Sequence, residues 1–115
     1  MTVDTIDPVA AVRGFNRFYT RLIGALDEGH LGSSFTLAEG RALYEIGHGE
    51  PLAPRVVAER AGLDPGYLSR ILKRFEADDL IARDADPADG RSHLLRLTPK
   101  GRTMFGELQG RSNLA

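Results

Sequence analysis

The sequence predicts a mainly α-helical fold in the order α-α-α-α-β-β-α, with the two strands forming one short ribbon. Apolar residues recur at helical spacing as far as Asp79, and the pattern changes to alternation over residues 80–97. Three predicted helices begin with a capping residue followed by proline, at Asp7-Pro8, Asp64-Pro65 and Thr98-Pro99. With 115 residues, of which 42% are hydrophobic and 27% charged, the chain is expected to form one domain, residues 1–115.

The first predicted helix begins at Pro8 and runs for about 20 residues, or about 30 Å. A long amphipathic helix at a chain end is usually part of the core or a dimer face, so residues 1–34 are assigned as an N-terminal, dimerisation-type helical segment. Its apolar positions are Val12, Phe15, Tyr19, Leu22, Ile23 and Leu26.

The next three helices are marked by their caps. Thr36 and Glu39 form a capping box that opens the second helix, which Gly47 and Gly49 are predicted to end. The third helix starts near Pro54 and stops at Gly62, and the fourth follows Asp64. Leu37, Leu43, Tyr44 and Ile46 are the apolar positions of the second helix, and Val56, Val57 and Ala61 those of the third. The fourth carries Leu68, Ile71, Leu72 and Phe75 at i, i+3, i+4 and i+7.

The ribbon and the last helix complete the chain. Residues 80–83 are predicted as a strand, residues 86–90 as a turn and residues 93–97 as the returning strand. The last helix carries Met104, Phe105 and Leu108 and has only about ten residues before Gly110. We therefore divide the remainder into a core over residues 35–98 and a truncated C-terminal helix over residues 99–115.

Two helices joined by a three-residue turn at residues 62–64, followed by a ribbon, form the layout of a winged helix-turn-helix. Ala58 is small where the two helices cross, and Gly62 suits a left-handed turn.

The exposed face of the fourth helix has three basic side chains and no acidic one between Pro65 and Phe75. Arginine can bridge two guanine acceptors in the major groove, whereas Lys and Ser more often contact phosphate. The candidate DNA-binding residues are Pro65, Gly66, Tyr67, Ser69, Arg70, Lys73 and Arg74; a merely solvated charged face is the alternative.

Two segments carry a resemblance to a known family. VVAERAGLDPGYLSRILKRFEADDLIAR (56–83) and DPADGRSHLLRLTPKG (86–101) resemble the MarR-type bacterial transcriptional regulators; the second matches the wing signature of that family. The resemblance implies a cytoplasmic, sequence-specific regulator of double-stranded DNA without a cofactor. It implies a homodimer that places two fourth helices in successive major grooves and two wings in flanking minor grooves. Arg91 would form the wing tip, oriented by Asp89.

The family resemblance also implies a small aromatic or phenolic effector, bound between the dimer helices and the winged domain. The polar side chains considered for this site are Arg13, Arg17, Tyr44 and His48. Residues 12–29, with LAEGRALYEI after them, look like the opening of regulators fused to a C-terminal GNAT-type acetyltransferase. No acetyl-CoA-binding segment occurs in these 115 residues, so the chain itself is not expected to be an enzyme. A regulatory front domain of such a fusion and a winged module for protein contacts remain the alternatives.

Composition excludes several other classes of site. Cys is absent, which excludes disulfides and thiolate metal sites. His30, His48 and His93 lie on separate elements, and a Glu45–His48 pair lacks a third ligand. The acidic turn of Asp84, Asp86 and Asp89 lacks the distal glutamate of a calcium loop.

No apolar run or signal-peptide layout predicts a membrane segment. The net charge is −1, but residues 1–50 carry −3 and residues 51–102 carry +2, which places the basic excess on the winged part.

Overall fold

The predicted order of elements is confirmed. The computed structural model describes residues 8–27 and 36–109, with side chains for residues 12–23 and 36–109. The elements are α1 (Pro8–Asp27), α2 (Leu37–Gly49), α3 (Pro54–Ala61), α4 (Pro65–Ala77), β1 (Ile81–Asp86), β2 (Asp89–Leu97) and α5 (Pro99–Leu108). No helix among the described residues is long and apolar enough to cross a membrane. Several residues used in the predictions lie outside this description: Asp7, His30, Gly110 and the side chain of Leu26.

The predicted caps of α2, α4 and α5 are confirmed. The Thr36 side chain accepts a hydrogen bond from the Glu39 backbone at 3.1 Å, and the Glu39 carboxylate accepts one from the Thr36 backbone at 2.7 Å. The side chains of Asp64 and Thr98 each accept a hydrogen bond from the third residue of the helix that follows. Each bond satisfies a backbone N–H that the helix itself leaves unpaired.

The buried face of α1 is rotated from the predicted one. Among its described side chains, those of residues 12–23, the buried ones are Phe15, Phe18 and Leu22. The predicted apolar positions Val12 and Ile23 are 58% and 37% exposed, whereas Phe18, which the prediction left out, is 1% exposed. The Phe18 ring contacts the rings of Tyr44 in α2 and Phe105 in α5, with centroids 5.1 and 5.4 Å away. The position of those two neighbours therefore decides which side of α1 is buried.

Helix α2 ends at Gly49, one of the two glycines predicted to end it, and Gly47 lies inside its last turn. Gly47 lies against the Phe105 ring, and a Cβ on Gly47 would overlap that ring. The residue therefore serves close packing between α2 and α5 instead of helix termination. Leu37, a predicted apolar position at the start of α2, is 56% exposed.

The turn between α3 and α4 agrees with the sequence prediction. Gly62 has φ 70° and ψ 38°, a left-handed conformation that suits glycine. The Leu63 backbone donates a hydrogen bond to the Ala58 carbonyl at 2.9 Å, and Ala58 is buried where α3 and α4 meet. The predicted inner face of α4 is also confirmed, with Leu68, Ile71, Leu72 and Phe75 all buried.

The ribbon is longer than predicted, and its turn is tighter. The strands pair antiparallel from Ile81 opposite Leu97 to Ala85 opposite His93, and Asp86 then pairs with Asp89. This register shift makes residues 90–92 a bulge in β2, and the turn is residues 87–88 instead of the predicted 86–90. The sequence predicted Arg91 at the tip of the ribbon, and the structure places it in the bulge instead.

Both ends of the ribbon base are attached to the helical core. Leu52 and Leu95 form an isolated antiparallel bridge, with backbone hydrogen bonds of 3.1 and 2.7 Å in the two directions. At the other side of the base, the Thr98 backbone donates to the Leu80 carbonyl at 3.0 Å. Gly101, buried in the first turn of α5, lies directly against that same carbonyl. The ribbon is thus held by the α2–α3 connection and by α5.

Candidate nucleic-acid interface

One face of α4 presents most of the predicted DNA-binding residues together. Because the apolar stripe of α4 faces the core, the opposite side of the helix is exposed. We call this exposed side the α4 surface. It consists of Pro65, Gly66, Tyr67, Ser69, Arg70 and Lys73. It carries two basic side chains and no acidic one, which suits contact with a polyanion.

The guanidinium of Arg70 lies against the ring of Tyr67 on the α4 surface. The Arg70 guanidinium carbon lies 5.6 Å from the centroid of the Tyr67 ring, one helical turn earlier. A cation over an aromatic face is attracted by the ring quadrupole. The contact holds the guanidinium along the helix while both residues stay exposed.

Arg74 does not belong to the α4 surface, and its expected exposure was wrong. Its Nη1 lies 2.7 Å from Oε2 of Glu39, and the two side chains are only 27% and 11% exposed. A longer ion pair joins Arg74 to Asp78 at 3.9 Å. Since the other oxygen of Glu39 caps α2, a single carboxylate connects the start of α2 to the last turns of α4. The geometry gives Arg74 a structural role.

We expect Arg74→Ala to lower the free energy of unfolding by about 1–3 kcal/mol, because it leaves the buried Glu39 carboxylate without its cation. Lys73→Ala is the matched control, since it removes a charge from the adjacent exposed position and should change stability by less than about 0.5 kcal/mol. Urea unfolding followed by circular dichroism measures both. Equal midpoints for the two variants would contradict the structural role of Arg74.

Asp89 organises the bulge of the ribbon. Its carboxylate accepts a hydrogen bond from the Arg91 backbone and another from the Ser92 hydroxyl, both at 3.0 Å. Both bonds lower the pKa of Asp89 below its ordinary value, and the bond from the Arg91 backbone has the larger effect. They are therefore present at neutral pH and lost as the pH falls through the depressed pKa. The resemblance implied that Asp89 orients Arg91, and the contact in the structure is with the Arg91 backbone. The Arg91 side chain is exposed in the bulge.

A groove beside α4 adds basic residues that sequence reasoning missed. It passes between the start of α3, α4 and the ribbon, and we call it the Arg55 groove. It has two adjoining parts of about 140 and 260 Å³, which share Pro54, Arg55 and Arg83. Arg55 follows Pro54 in the first turn of α3 and is exposed. A basic residue beside a helix-starting proline was the available signal, but the sequence alone does not bring it next to the ribbon.

The side chains considered for an effector site separate into two places. Tyr44 and His48 lie together, with ring centroids 4.4 Å apart, and Nε2 of His48 is 2.9 Å from the side-chain nitrogen of Gln109. Tyr44 is half-buried against the rings of α1. Arg13 and Arg17 are exposed on α1, and Arg17 lines a surface depression on that helix. Gln109 joins the candidate cluster as a residue that the sequence did not indicate.

The acidic side chains considered as metal ligands have other partners. Glu45 pairs with Arg41 at 3.3 Å, and Asp84 pairs across the ribbon with Arg96 at 2.6 Å. Asp86 accepts a hydrogen bond from the backbone of the turn. In the part of the chain that the structure describes, no three such side chains are grouped as metal ligands would be.

Similarity to known proteins agrees with this architecture. The sequence profile of the MarR family matches residues 33–92. The HTH-type transcriptional regulator TtmR of Methylorubrum extorquens (strain PA1) is 30% identical over 99 residues, which are 86% of this chain and 47% of TtmR. The chain thus spans about half the length of that relative.

Solved structures give the same result for the fold. The transcriptional repressor CouR, bound to a 23-mer DNA duplex, matches with a TM-score of 0.64 and 24% identity, over 88% of this chain and 66% of that one. The PcaV regulator from Streptomyces coelicolor, in complex with its natural ligand, matches with a TM-score of 0.61 and 25% identity, over 97% of this chain and 79% of that one.

Proposed function

The chain belongs to the MarR family, and on that premise we propose that it is a transcriptional regulator that binds specific sequences of double-stranded DNA. The observation that carries the proposal is the α4 surface, which is basic, free of acidic side chains and exposed over its whole length. In a winged helix-turn-helix this helix enters the major groove. CouR, with the same fold, has been solved on a DNA duplex. A module used only for protein contacts would favour acidic or apolar residues on this face.

The proposal is tested by titrating the purified chain into a labelled duplex from upstream of its own gene. The titration is repeated with a random duplex and at about 50 and 200 mM salt. We expect tighter binding to the upstream duplex and a steep loss of affinity with salt, because phosphate contacts release counterions. Equal affinity for both duplexes would contradict sequence-specific regulation, and failure to bind either would contradict DNA binding.

We further propose that the protein pairs with a second copy, using the segment of residues 1–34 and the helix that starts at Pro99. Val12 and Ile23 support this, since both are apolar and exposed on α1 outside the core. Two copies would read half-sites about one helical turn apart. Within this arrangement residues 35–98 form the DNA-binding core of a single domain, and the site of action is the cytoplasm.

A small aromatic or phenolic acid is the proposed effector. The natural ligand of PcaV is the precedent, and the Tyr44–His48 cluster supplies an aromatic and a polar group side by side. We propose no catalytic activity for this chain. In the alternative of a fusion to an acetyltransferase domain, the chain would be the regulatory part of that enzyme.

Arg91→Ala is expected to weaken binding several-fold to sites with A·T-rich flanks and much less to sites with G·C-rich flanks. A narrow A·T minor groove has a strong negative potential that attracts arginine. The exposed position predicts an almost unchanged thermal midpoint. Titrations of the two flank types together with thermal melts measure both effects. The same loss for both flanks would contradict minor-groove binding, and no loss for either would exclude Arg91 from DNA binding.

A further inference from the structure

We propose that the Arg55 groove binds one phosphodiester of the DNA backbone, with Arg55 as the cation that contacts it. The inference rests on the proposed DNA-binding function and extends it to a surface outside the α4 surface and Arg91. It assigns Arg55 a positioning role that fixes where the DNA strand crosses from α4 to the ribbon.

The groove is continuous with both of the other candidate DNA contacts. Its smaller part reaches α4, where Ser69 belongs to the α4 surface. Its larger part reaches the ribbon, where Ser92 lies directly beside Arg91 in the bulge. Arg55 lines both parts and therefore lies between them. In the proposed complex, a strand of DNA that follows the groove from α4 to the bulge passes beside Arg55.

Charge distinguishes Arg55 from the other arginine of the groove. Arg83 donates to both oxygens of Glu76, at 2.9 and 3.4 Å, and this pair is largely neutral. Among the described side chains, those of residues 12–23 and 36–109, no acidic one pairs with Arg55. Its charge is thus not offset by one of these carboxylates, and its fork of donors matches two oxygens of a phosphate.

Besides the two arginines, the smaller part of the groove is lined by one hydroxyl and by apolar side chains, and the larger part by two polar side chains together with Ala53 and Pro54. The Ser69 hydroxyl lines the smaller part and the His93 ring the larger part, and both can donate hydrogen bonds to phosphate and sugar oxygens, whereas the Ser92 hydroxyl already donates to Asp89. Both parts of the groove are open to solvent on one side, whereas drug-sized ligands are buried on most of their surface in a closed pocket. Shape and donors both suit a strand that passes through.

The test pairs a protein variant with a modified duplex. Single phosphates of the upstream duplex are replaced in turn by neutral methylphosphonates, and each duplex is titrated with the parent chain, with Arg55→Ala and with Arg60→Ala. Arg60 is the matched control, because it is an exposed arginine at the other end of α3, outside the groove. Thermal melts verify that all three proteins are folded.

We expect Arg55→Ala to weaken binding to all sequences by about five- to tenfold and to lower the salt slope by about one per protomer. Arg60→Ala should cost less than about twofold. At one phosphate between the two grooves, the methylphosphonate should weaken the parent and Arg60→Ala but not Arg55→Ala, because the contact is already lost.

Equal losses for the two arginine variants, or a methylphosphonate cost in Arg55→Ala equal to that of the parent at every phosphate, would overturn the assignment of Arg55 while the DNA-binding function stands. A parent chain that binds no duplex would instead overturn the proposed function and the groove assignment together.

Discussion

Replacing Gly101 with alanine is expected to lower the free energy of unfolding by about 3 kcal/mol or more, at the upper end of the cost of overpacking a core. A Cβ at this position would contact the carbonyl oxygen of Leu80, which is backbone and not a flexible side chain. That backbone cannot easily retreat. Its carbonyl accepts from Thr98 at 3.0 Å, and its N–H donates to the Phe75 carbonyl at 2.9 Å.

Gly90→Ala is the control, because it adds the same methyl group at an exposed site with nothing within 4 Å of it. We expect that variant to stay within about 0.5 kcal/mol of the parent. Urea unfolding followed by circular dichroism compares the two, and near-identical midpoints would contradict a steric role for Gly101. The glycine at position 101 would then need another explanation than the close approach of α5 to the ribbon base.

The second large effect is expected at Arg70. Arg70→Ala should reduce discrimination between the cognate duplex and duplexes changed at one base pair by about 1–3 kcal/mol, or about 5- to 150-fold. The physical reason is the loss of a guanidinium that can donate to both acceptors of one guanine. Every other base position should keep its preference, because the remaining contacts are unchanged.

Two variants separate base reading from general attraction at this site. Arg70→Lys keeps the charge but not the two-donor fork, so it should lose selectivity almost as Arg70→Ala does. Lys73→Ala should weaken all duplexes alike and flatten the salt dependence. Titration of single-base-pair variants measures these patterns. A uniform loss for Arg70→Ala across all of them would contradict base reading by Arg70.

Local features of this fold could be predicted from sequence because their partners are close in the chain. The Thr36–Glu39 capping box, the left-handed Gly62 and the buried stripe of α4 all depend on residues within two helical turns. The exposed α4 surface follows from that stripe, because what is not buried on an amphipathic helix faces solvent. Most of the candidate site therefore follows from local pattern.

The features that the sequence did not predict depend on partners that are distant in the chain. Arg74 finds Glu39 across 35 positions of sequence, and a basic residue on an exposed-looking face gives no sign of such a partner. The α1 face depends on where α2 and α5 lie, so Phe18 and Ile23 could not be ranked from periodicity. The bulge that moves Arg91 away from the tip arises from a register shift, which depends on strand pairing instead of composition.

The bridge between Leu52 and Leu95 has a consequence for the DNA itself. Two backbone hydrogen bonds join the base of the ribbon to the connection before α3, and this attachment restricts how far the bulge can move relative to α4. In the proposed complex, a duplex whose grooves lie at another spacing must bend or twist to contact both. The stiffness of the base pairs between the two contacts then contributes to selectivity, although no side chain reads them.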